Sequence, residues 1–474
     1  MKSNRRKFLQ YSGLSGIGLT VANTLKAFGA NLENNSVSVP RHPDKISRQH
    51  FNMCGYAAPK IETVRIGFVG LGNRGPDAVG RMSHIEGVEI KALCDIRPEK
   101  VNAVKKKLEA TTHQPAIYTN KEEEWKKLCE RPDIDLVYIA TPWSLHTPIA
   151  VYAMNHGKHV CVEVPAAKTI DQCWQLVEAS ERNRRHCMIL ENTCYDFFEL
   201  LTLNMARQGF FGEIIHGEGA YIHDLLEGNF SKTKYYNLWR LKENFRNGNL
   251  YPTHGLGPVA QVMNINRGDK MDYLVAMSGK DFSMGAMAKE LAVKDEFYKP
   301  YANKSFRGNM NTTTIRTNKG LTIMLQHDVS SPNVYSRIHK ISGTKGSALK
   351  YPLEGRFAIG HEKWLTEEEY KQMEEKYQPA IVKKVGEMAK EVGGHGGMDF
   401  LMDWRTIDCL RNGLPLDINV YDAAAWSAVA PLSEWSVANR SNSIDFPDFT
   451  SGSWKTNQPV DIKLEKGGTT KVIM

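Results

Sequence analysis

Two stretches of this chain combine residue types and spacings that could do chemistry. The first is Gly70-Leu71-Gly72-Asn73-Arg74-Gly75, which directly follows the apolar run Val64–Val69 and leads into a helical pattern through Met82. In that setting one glycine makes a tight turn, the next lets the backbone approach a pyrophosphate, and the third lets helix and strand pack closely, with the anion at the helix N-terminus. A second apolar run, Val88–Cys94, ends in Asp95, twenty residues after Gly75. A carboxylate there accepts hydrogen bonds from ribose hydroxyls and repels a 2′-phosphate, so NAD is the expected cofactor, with NADP left open by the neighbouring Arg97. The second stretch is Tyr251-Pro252-Thr253-His254-Gly255-Leu256-Gly257-Pro258. Two glycines and a proline after His254 predict a loop, on which a histidine either transfers protons or is a satisfied structural residue. His395, within Gly393-Gly394-His395-Gly396-Gly397, is a further candidate because its glycines permit close backbone approach; a loop leading into a helix at Met398 is the equal alternative.

These groups need elements to hold them. Residues 134–140, 159–164 and 188–192 are near-continuous apolar runs, the pattern of parallel strands buried on both faces. Alternating with helical stretches, they predict an α/β domain over 61–192, a doubly wound Rossmann sheet. From 193 to 440 the pattern becomes α+β: a helix near 197–208, then strands at 214–221, 313–317 and 321–327, the last two paired across the Lys319-Gly320 turn. Residues 31–60 are polar and rich in Pro and Asn, a linker or surface arm, and 441–474 are a C-terminal tail.

Composition sets the boundaries. At 474 residues, with 41% hydrophobic and 24% charged, the chain reads as a soluble globular protein of two domains. The formal charge of +8 suggests an acidic partner. However, Lys2, Arg5, Arg6, Lys7 and Lys26 all lie in an acid-free stretch of thirty residues; without them the other basic residues nearly balance the acidic ones. No basic stripe with interleaved aromatics remains, which argues against nucleic acid. Arg5-Arg6-Lys7-Phe8-Leu9, followed by a weakly apolar run to Ala30 with a small-residue exit near Ala27-Phe28-Gly29, is similar to a twin-arginine export signal and predicts a periplasmic destination. No later stretch approaches the roughly 20 apolar residues that span a bilayer. The eight cysteines are scattered, with no CxxC and no His/Cys cluster, so no metal is expected. Cys94 and Cys161 fall inside predicted buried strands and read as small hydrophobes.

The run Ile139-Ala140-Thr141-Pro142-Trp143-Ser144-Leu145-His146, followed by Ala153-Met154-Asn155-His156-Gly157-Lys158-His159-Val160, resembles the oxidoreductase family of glucose-fructose oxidoreductase and inositol dehydrogenase. In that family the Pro-x-x-x-His loop lies over the cofactor, and the next strand ends in Glu-Lys-Pro, whose lysine serves the chemistry. Here the triplet is Glu163-Val164-Pro165. A valine neither donates nor accepts a proton, so acid-base chemistry must come from other residues. Glu191-Asn192-Thr193-Cys194-Tyr195, Gly219-Ala220-Tyr221-Ile222-His223-Asp224, Trp239-Arg240, Tyr251 to Pro258, Gly394-His395-Gly396-Gly397-Met398-Asp399 and Pro431-Leu432-Ser433-Glu434 follow in order. Together they resemble the NAD-dependent α-N-acetylgalactosaminidases of glycoside hydrolase family 109, over about 61–455.

That resemblance implies an open, mainly antiparallel sheet in the second domain, with the substrate site on the Rossmann cleft and the other face free for homo-oligomer contacts. It implies cofactor contacts from Asn73, Arg74, Asp95, Trp143, Ser144, Leu145, His146, Glu163, Val164 and Asn192. It places Tyr221, Arg240, Tyr251, Pro252, Thr253, His254 and Tyr335 around the sugar, with His254 leading proton transfer and Tyr335 a base or sugar contact. Read alone, Tyr335 is a strand aromatic, Tyr221 and Trp143 are core, and Arg240 is a surface ion pair. The implied reaction oxidises sugar C3 with NAD, eliminates the C1 group of a terminal α-N-acetylgalactosaminide, adds water and returns the hydride, so no carboxylate pair is required. Because free NAD is scarce outside the cytoplasm, redox-neutral chemistry suits an exported enzyme. An exported sugar oxidoreductase with tightly bound NAD(P), and a sugar-binding protein without catalysis, are the alternatives.

Overall fold

In the computed structural model, which describes residues 49–473, the apolar runs of the N-terminal half form a parallel six-stranded sheet. The strands are β1 (Val64–Val69), β2 (Val88–Cys94), β3 (Ala116–Tyr118), β4 (Leu136–Ile139), β5 (His159–Val162) and β6 (Cys187–Ile189). Every residue of β4 and β5 is buried, which is why those segments read as unbroken apolar runs. Cys94 and Cys161 are buried free thiols on β2 and β5. The order β3-β2-β1-β4-β5-β6 reverses direction between β1 and β4, and the carboxyl ends of those two strands frame the crevice where such sheets bind ligands. The expected export signal at 1–30 lies outside the described residues. Within 49–473 no helix is long and apolar enough to cross a membrane.

The second sheet has eight strands: β7 (Ile214–Ile222), β8 (Met271–Ser278), β9 (Asn311–Thr317), β10 (Thr322–Asp328), β11 (His339–Gly343), β12 (Gly346–Lys350), β13 (Arg356–Ile359) and β14 (Ile444–Asp445). Their order is β13-β12-β11-β7-β10-β9-β8-β14, antiparallel throughout except for the β7–β10 pair. The hairpin turns at Lys319-Gly320 as its residues require, pairing Arg316 with Thr322 and Ile315 with Ile323. On β9 the residues Asn311, Thr313, Ile315 and Thr317 are buried while Thr314 and Arg316 are exposed, so one face is covered and the other open.

Helices from the C-terminal half join the two sheets. The Val420–Ala438 helix packs against β8 on one side and against β6 and the Ile170–Asn183 helix on the other. It is buried nearly all round, and its first turn is closed by a capping box between Asn419 and Asp422. The Met398–Asn412 helix packs on the Gly75–Met82 helix and carries four buried charges, each of which needs a partner. Arg81 binds Asp403 at 2.8 Å and approaches Asp399 at 3.5 Å, while Arg405 holds Asp417 at 3.1 Å. Asp408 accepts backbone N–H groups from Gly468, Thr469 and Thr470. The segment after 441, expected as a tail, thereby packs back on the Rossmann domain, where Val472 bridges Ile85 in the turn before β2.

Candidate active site

The glycine loop divides its work as its spacing predicts. A Cβ on Gly70, at φ +95°, would lie 2.5 Å from the Ala140 carbonyl carbon, and one on Gly75 would lie 2.0 Å from the Gly70 oxygen. On Gly72 it would meet only the Arg97 guanidinium, at 3.5 Å. The first and third glycines are therefore demanded by the fold, and the middle one faces space a ligand can enter. Asp95 anchors this loop, accepting the Leu71 N–H at 2.7 Å and the Arg97 N–H and Nε–H at 3.0 and 3.1 Å. Arg97, the residue that left NADP open, is thus engaged with Asp95 itself.

The other cofactor-side residues converge on the same crevice. Asn73 donates to the Lys234 carbonyl at 3.0 Å. Arg74 reaches Glu163 at 3.0 Å and Asp399 at 3.2 Å, and Glu163 also accepts the Val164 N–H. Trp143 lies on a short 3-10 turn, buried, while Ser144 and Leu145 beside it are exposed. The His146 ring is committed to backbone, with its nitrogens 2.7 Å from the Pro165 carbonyl and 2.8 Å from that of Thr141. Asn192 donates to Asp399 at 2.5 Å. Its Oδ1, like Thr141 Oγ1, is buried without a hydrogen-bond partner among the described residues. Buried polar atoms are rarely left unpaired. An open glycine cradle and two orphaned polar atoms fit a dinucleotide laid along this crevice.

His254 corrects the loop expectation, since it occupies the first turn of a helix, Thr253–Val262, with Pro252 as its N-cap. Two features explain how a segment with two glycines and a proline stays helical. Pro258 cannot donate to the His254 carbonyl, and that carbonyl accepts the Thr193 hydroxyl at 2.9 Å instead. The glycines serve packing: a Cβ on Gly255 would sit 2.3 Å from the Ala220 nitrogen, and one on Gly257 would sit 2.8 Å from Glu191. The helix therefore lies almost backbone to backbone on β7, which carries Tyr221.

This docking assembles a second cluster at the crevice mouth. His254 Nδ1 is 2.7 Å from Glu191 Oε1, and Glu191 is fully buried. Burial pushes the Glu191 carboxyl up, but the His254 imidazole and the hydrogen bonds from His254, Thr253 and Thr193 outweigh it and hold the group below its ordinary value. The His254 ring lies 4.9 Å from Tyr251 and 5.4 Å from Tyr221. The Arg240 guanidinium is enclosed by Trp143, Tyr235 and Tyr251 at 5.6, 5.5 and 5.2 Å and lies beside the Tyr221 hydroxyl. It is not a surface ion pair. Trp143 stacks on Tyr251 at 5.7 Å, so it joins the cofactor loop to the aromatic cage. Tyr335, about one third exposed, meets His223 edge-on at 5.1 Å, and His223 Nδ1 is 3.1 Å from the Tyr221 hydroxyl. Thr253 is wholly buried beneath the cluster. His395 is brought to the other side, next to Arg74.

Glu191, His223, Tyr235, Trp239 and Asp399 belong to this constellation but were not singled out from the sequence. Glu191 had a signal, since it ends the last parallel run immediately before Asn192. Because its folded carboxyl is held low, Glu191 contributes stability that is fully present above the unfolded value near 4.3 and is lost as pH falls through the folded value. Melting temperature should accordingly drop with acidification below about pH 4, and Glu191→Gln should flatten that slope. An unchanged slope in the variant would show that Glu191 is not held low.

Two family descriptions match the chain: "Oxidoreductase family, NAD-binding Rossmann fold" over residues 64–191 and "Glycosyl hydrolase 109, C-terminal domain" over residues 195–456. Among curated relatives, glycosyl hydrolase family 109 protein 1 of Bacteroides fragilis (strain YCH46) is 48% identical over 85% of this chain and 89% of its own. A protein of Shewanella oneidensis named alpha-N-acetylgalactosaminidase is 44% identical over 97% of this chain and 98% of its own. Among solved structures, levoglucosan dehydrogenase in complex with NADH and levoglucosan has the same fold, with a TM-score of 0.60 at 17% identity, covering 81% of this chain and all of that one. The chain belongs to glycosyl hydrolase family 109, a glycoside hydrolase built on an NAD-binding Rossmann domain.

Proposed function

We propose that the enzyme hydrolyses terminal α-N-acetylgalactosaminides by a redox-neutral route in which NAD is retained and regenerated at every turnover. The observation that carries this is the Glu191–His254 pair, a buried carboxylate 2.7 Å from an imidazole at the mouth of a dinucleotide crevice. The Shewanella oneidensis relative named alpha-N-acetylgalactosaminidase supports the substrate class. Gly70, Gly72, Asn73, Arg74, Gly75 and Asp95 would hold the dinucleotide, with Trp143 to His146, Glu163, Val164 and Asn192 around its reactive end. Bound NAD supplies a hydride acceptor for sugar C3 that returns the hydride at the end; the C3 ketone acidifies C2 and lets the C1 aglycone leave by elimination before water adds.

His254 takes the C2 proton. The Glu191 carboxylate, ionised at working pH, receives the Nδ1–H and leaves Nε2 as the basic atom, and it stabilises the imidazolium that proton transfer creates. This supplies the base that Val164, in place of the usual lysine, cannot. Burial pushes the Tyr335 phenol up to about 12, so at neutral pH it stays protonated and serves as a hydrogen-bond donor to a sugar oxygen. The caged Arg240, with Tyr221 and Tyr251, presents fixed donors to the sugar hydroxyls and acetamide.

An aryl α-N-acetylgalactosaminide should release its phenol in heavy water with deuterium incorporated at C2 of the sugar product. Hydride exchange between free sugars without phenol release would instead establish an oxidoreductase. Asp95→Ala should weaken NAD binding roughly 10²- to 10⁴-fold, the equivalent of two ribose hydrogen bonds to a charged acceptor at about 1.5–3 kcal/mol each. Equal affinity for NADP in the unaltered protein would contradict the assignment of Asp95. Export through Arg5-Arg6 would deliver the folded, loaded enzyme to the periplasm, a reading that Arg5→Lys with Arg6→Lys tests by retaining the protein in the cytoplasm. The open sheet face exposes Tyr273, Val275 and Met277 on β8, which supports homo-oligomer contacts there.

A further inference from the structure

One buried carboxylate outside the catalytic pair has, besides the core Arg81 at 3.5 Å, three partners at the cofactor crevice. Asp399, 1% exposed at its side chain, sits in the first turn of the Met398–Asn412 helix. Its Oδ1 accepts from Asn192 at 2.5 Å, while its Oδ2 is 3.2 Å from Arg74 Nη2 and 2.9 Å from His395 Nδ1. Arg74 in turn spans to Glu163 at the end of β5. A core ion pair is buried on every side, as Arg81 and Asp403 are. This network is not, because the Arg74 and His395 side chains remain 33% and 55% exposed.

The backbone around it is specialised in the same direction. Gly393, Gly394, His395, Gly396 and Gly397 all have positive φ, from 47° at His395 to 107° at Gly397. A Cβ on Gly394 would lie 2.6 Å from Asp399 Cβ, so the loop folds directly onto the carboxylate. Placing a histidine in the left-handed region is a cost that surrounding structure must offset, and such residues cluster at ligand clamps. What the loop achieves is to set the His395 ring on Asp399, to which Nδ1–H donates at 2.9 Å, with the Arg74 guanidinium alongside over the cofactor loop.

We propose that Asp399 and His395 form a latch, contributed by the C-terminal domain, that fixes Arg74 and Asn192 in their cofactor-binding positions and blocks escape of the dinucleotide. This rests on the retained-NAD reading above. An enzyme that returns its hydride in every cycle gains nothing from exchanging cofactor, so a groove closed by a second domain suits it better than the open edge of a Rossmann sheet. Neither residue touches the reacting sugar atoms; both act through Arg74 and Asn192, as positioning residues.

The test is the dissociation of radiolabelled NAD from the full-length enzyme into excess unlabelled NAD. Asp399→Asn should speed release at least 30-fold, by removing the charge that holds Arg74 and His395. His395→Ala, on an exposed side chain, should speed it about tenfold. Asp403→Asn, one helical turn away and paired with Arg81, should lower the melting temperature while leaving release within twofold. Release at the wild-type rate from the first two variants overturns the latch, as does equal acceleration by Asp403→Asn. Should Asp399→Asn fail to fold, His395→Ala decides. A wild-type enzyme that binds no NAD overturns the latch and the retained-cofactor reading together, whereas bound NAD leaving every variant at one rate overturns the latch alone.

Discussion

Replacing His254 by Asn lowers kcat by roughly 10²- to 10⁴-fold with little change in sugar binding, the loss expected when a positioned acid-base group is removed. Asn is the informative choice because of Glu191. That carboxylate is fully buried, and besides His254 it accepts from the Thr193 N–H, with the Thr253 hydroxyl beside it. Truncation to Ala would leave a buried charge short of its partner, a defect of about 3–5 kcal/mol, so His254→Ala should lose both stability and turnover. Asn keeps an N–H at the position of Nδ1 for Glu191 and removes the basic Nε2. The double variant His254→Ala with Glu191→Gln separates the two effects: the melting temperature recovers and kcat does not. These outcomes are read from kcat, KM and bound NAD for an aryl glycoside alongside thermal unfolding. A His254→Asn enzyme within threefold of the unaltered kcat would remove His254 from the chemistry.

The second large effect comes from one methyl group. Gly255→Ala places a Cβ 2.3 Å from the Ala220 nitrogen and 2.6 Å from the Gly219 carbonyl carbon. Both obstacles are backbone atoms of β7, which is paired with β10 on one side and β11 on the other and cannot yield. The Thr253–Val262 helix must move away instead. Overpacking of this kind costs about 1–3 kcal/mol or more, and a displacement of about 1 Å at His254 costs about 10²-fold in turnover. Gly255→Ala should therefore lower the melting temperature and kcat together while leaving NAD content unchanged, since the glycine loop is elsewhere. Full activity in this variant would show that the helix has slack the packing does not suggest.

Much of the cofactor half was legible from residues alone. The runs at 64–69 and 88–94 are β1 and β2 to the residue, and the Gly70 to Gly75 spacing meets the Gly70–Gly75 and Gly70–Ala140 contacts that demand it. Parallel strands buried on both faces are apolar at every position, and a dinucleotide turn is local, so neighbouring residues carry the information. The cluster around His254 was legible in part. Tyr221, Arg240, Tyr251, His254 and Tyr335 were identified by resemblance and do converge, yet nothing in their spacing places an arginine inside three aromatic rings.

What the amino-acid order determined by itself is the class of the N-terminal sheet, the cofactor loop and the absence of a proton carrier at Val164. What only the tertiary structure decided is how the remaining groups act. Local rules assigned His254 to a loop because glycine and proline weaken isolated helices. In the folded chain a hydroxyl from Thr193 replaces the hydrogen bond Pro258 cannot make, and the glycines are there so that a helix can lie against β7. Glu191 and Asp399 acquire their partners across 63 and 207 residues, respectively. A carboxylate's role depends on what surrounds it after burial, and pairings at that separation leave no trace in local pattern.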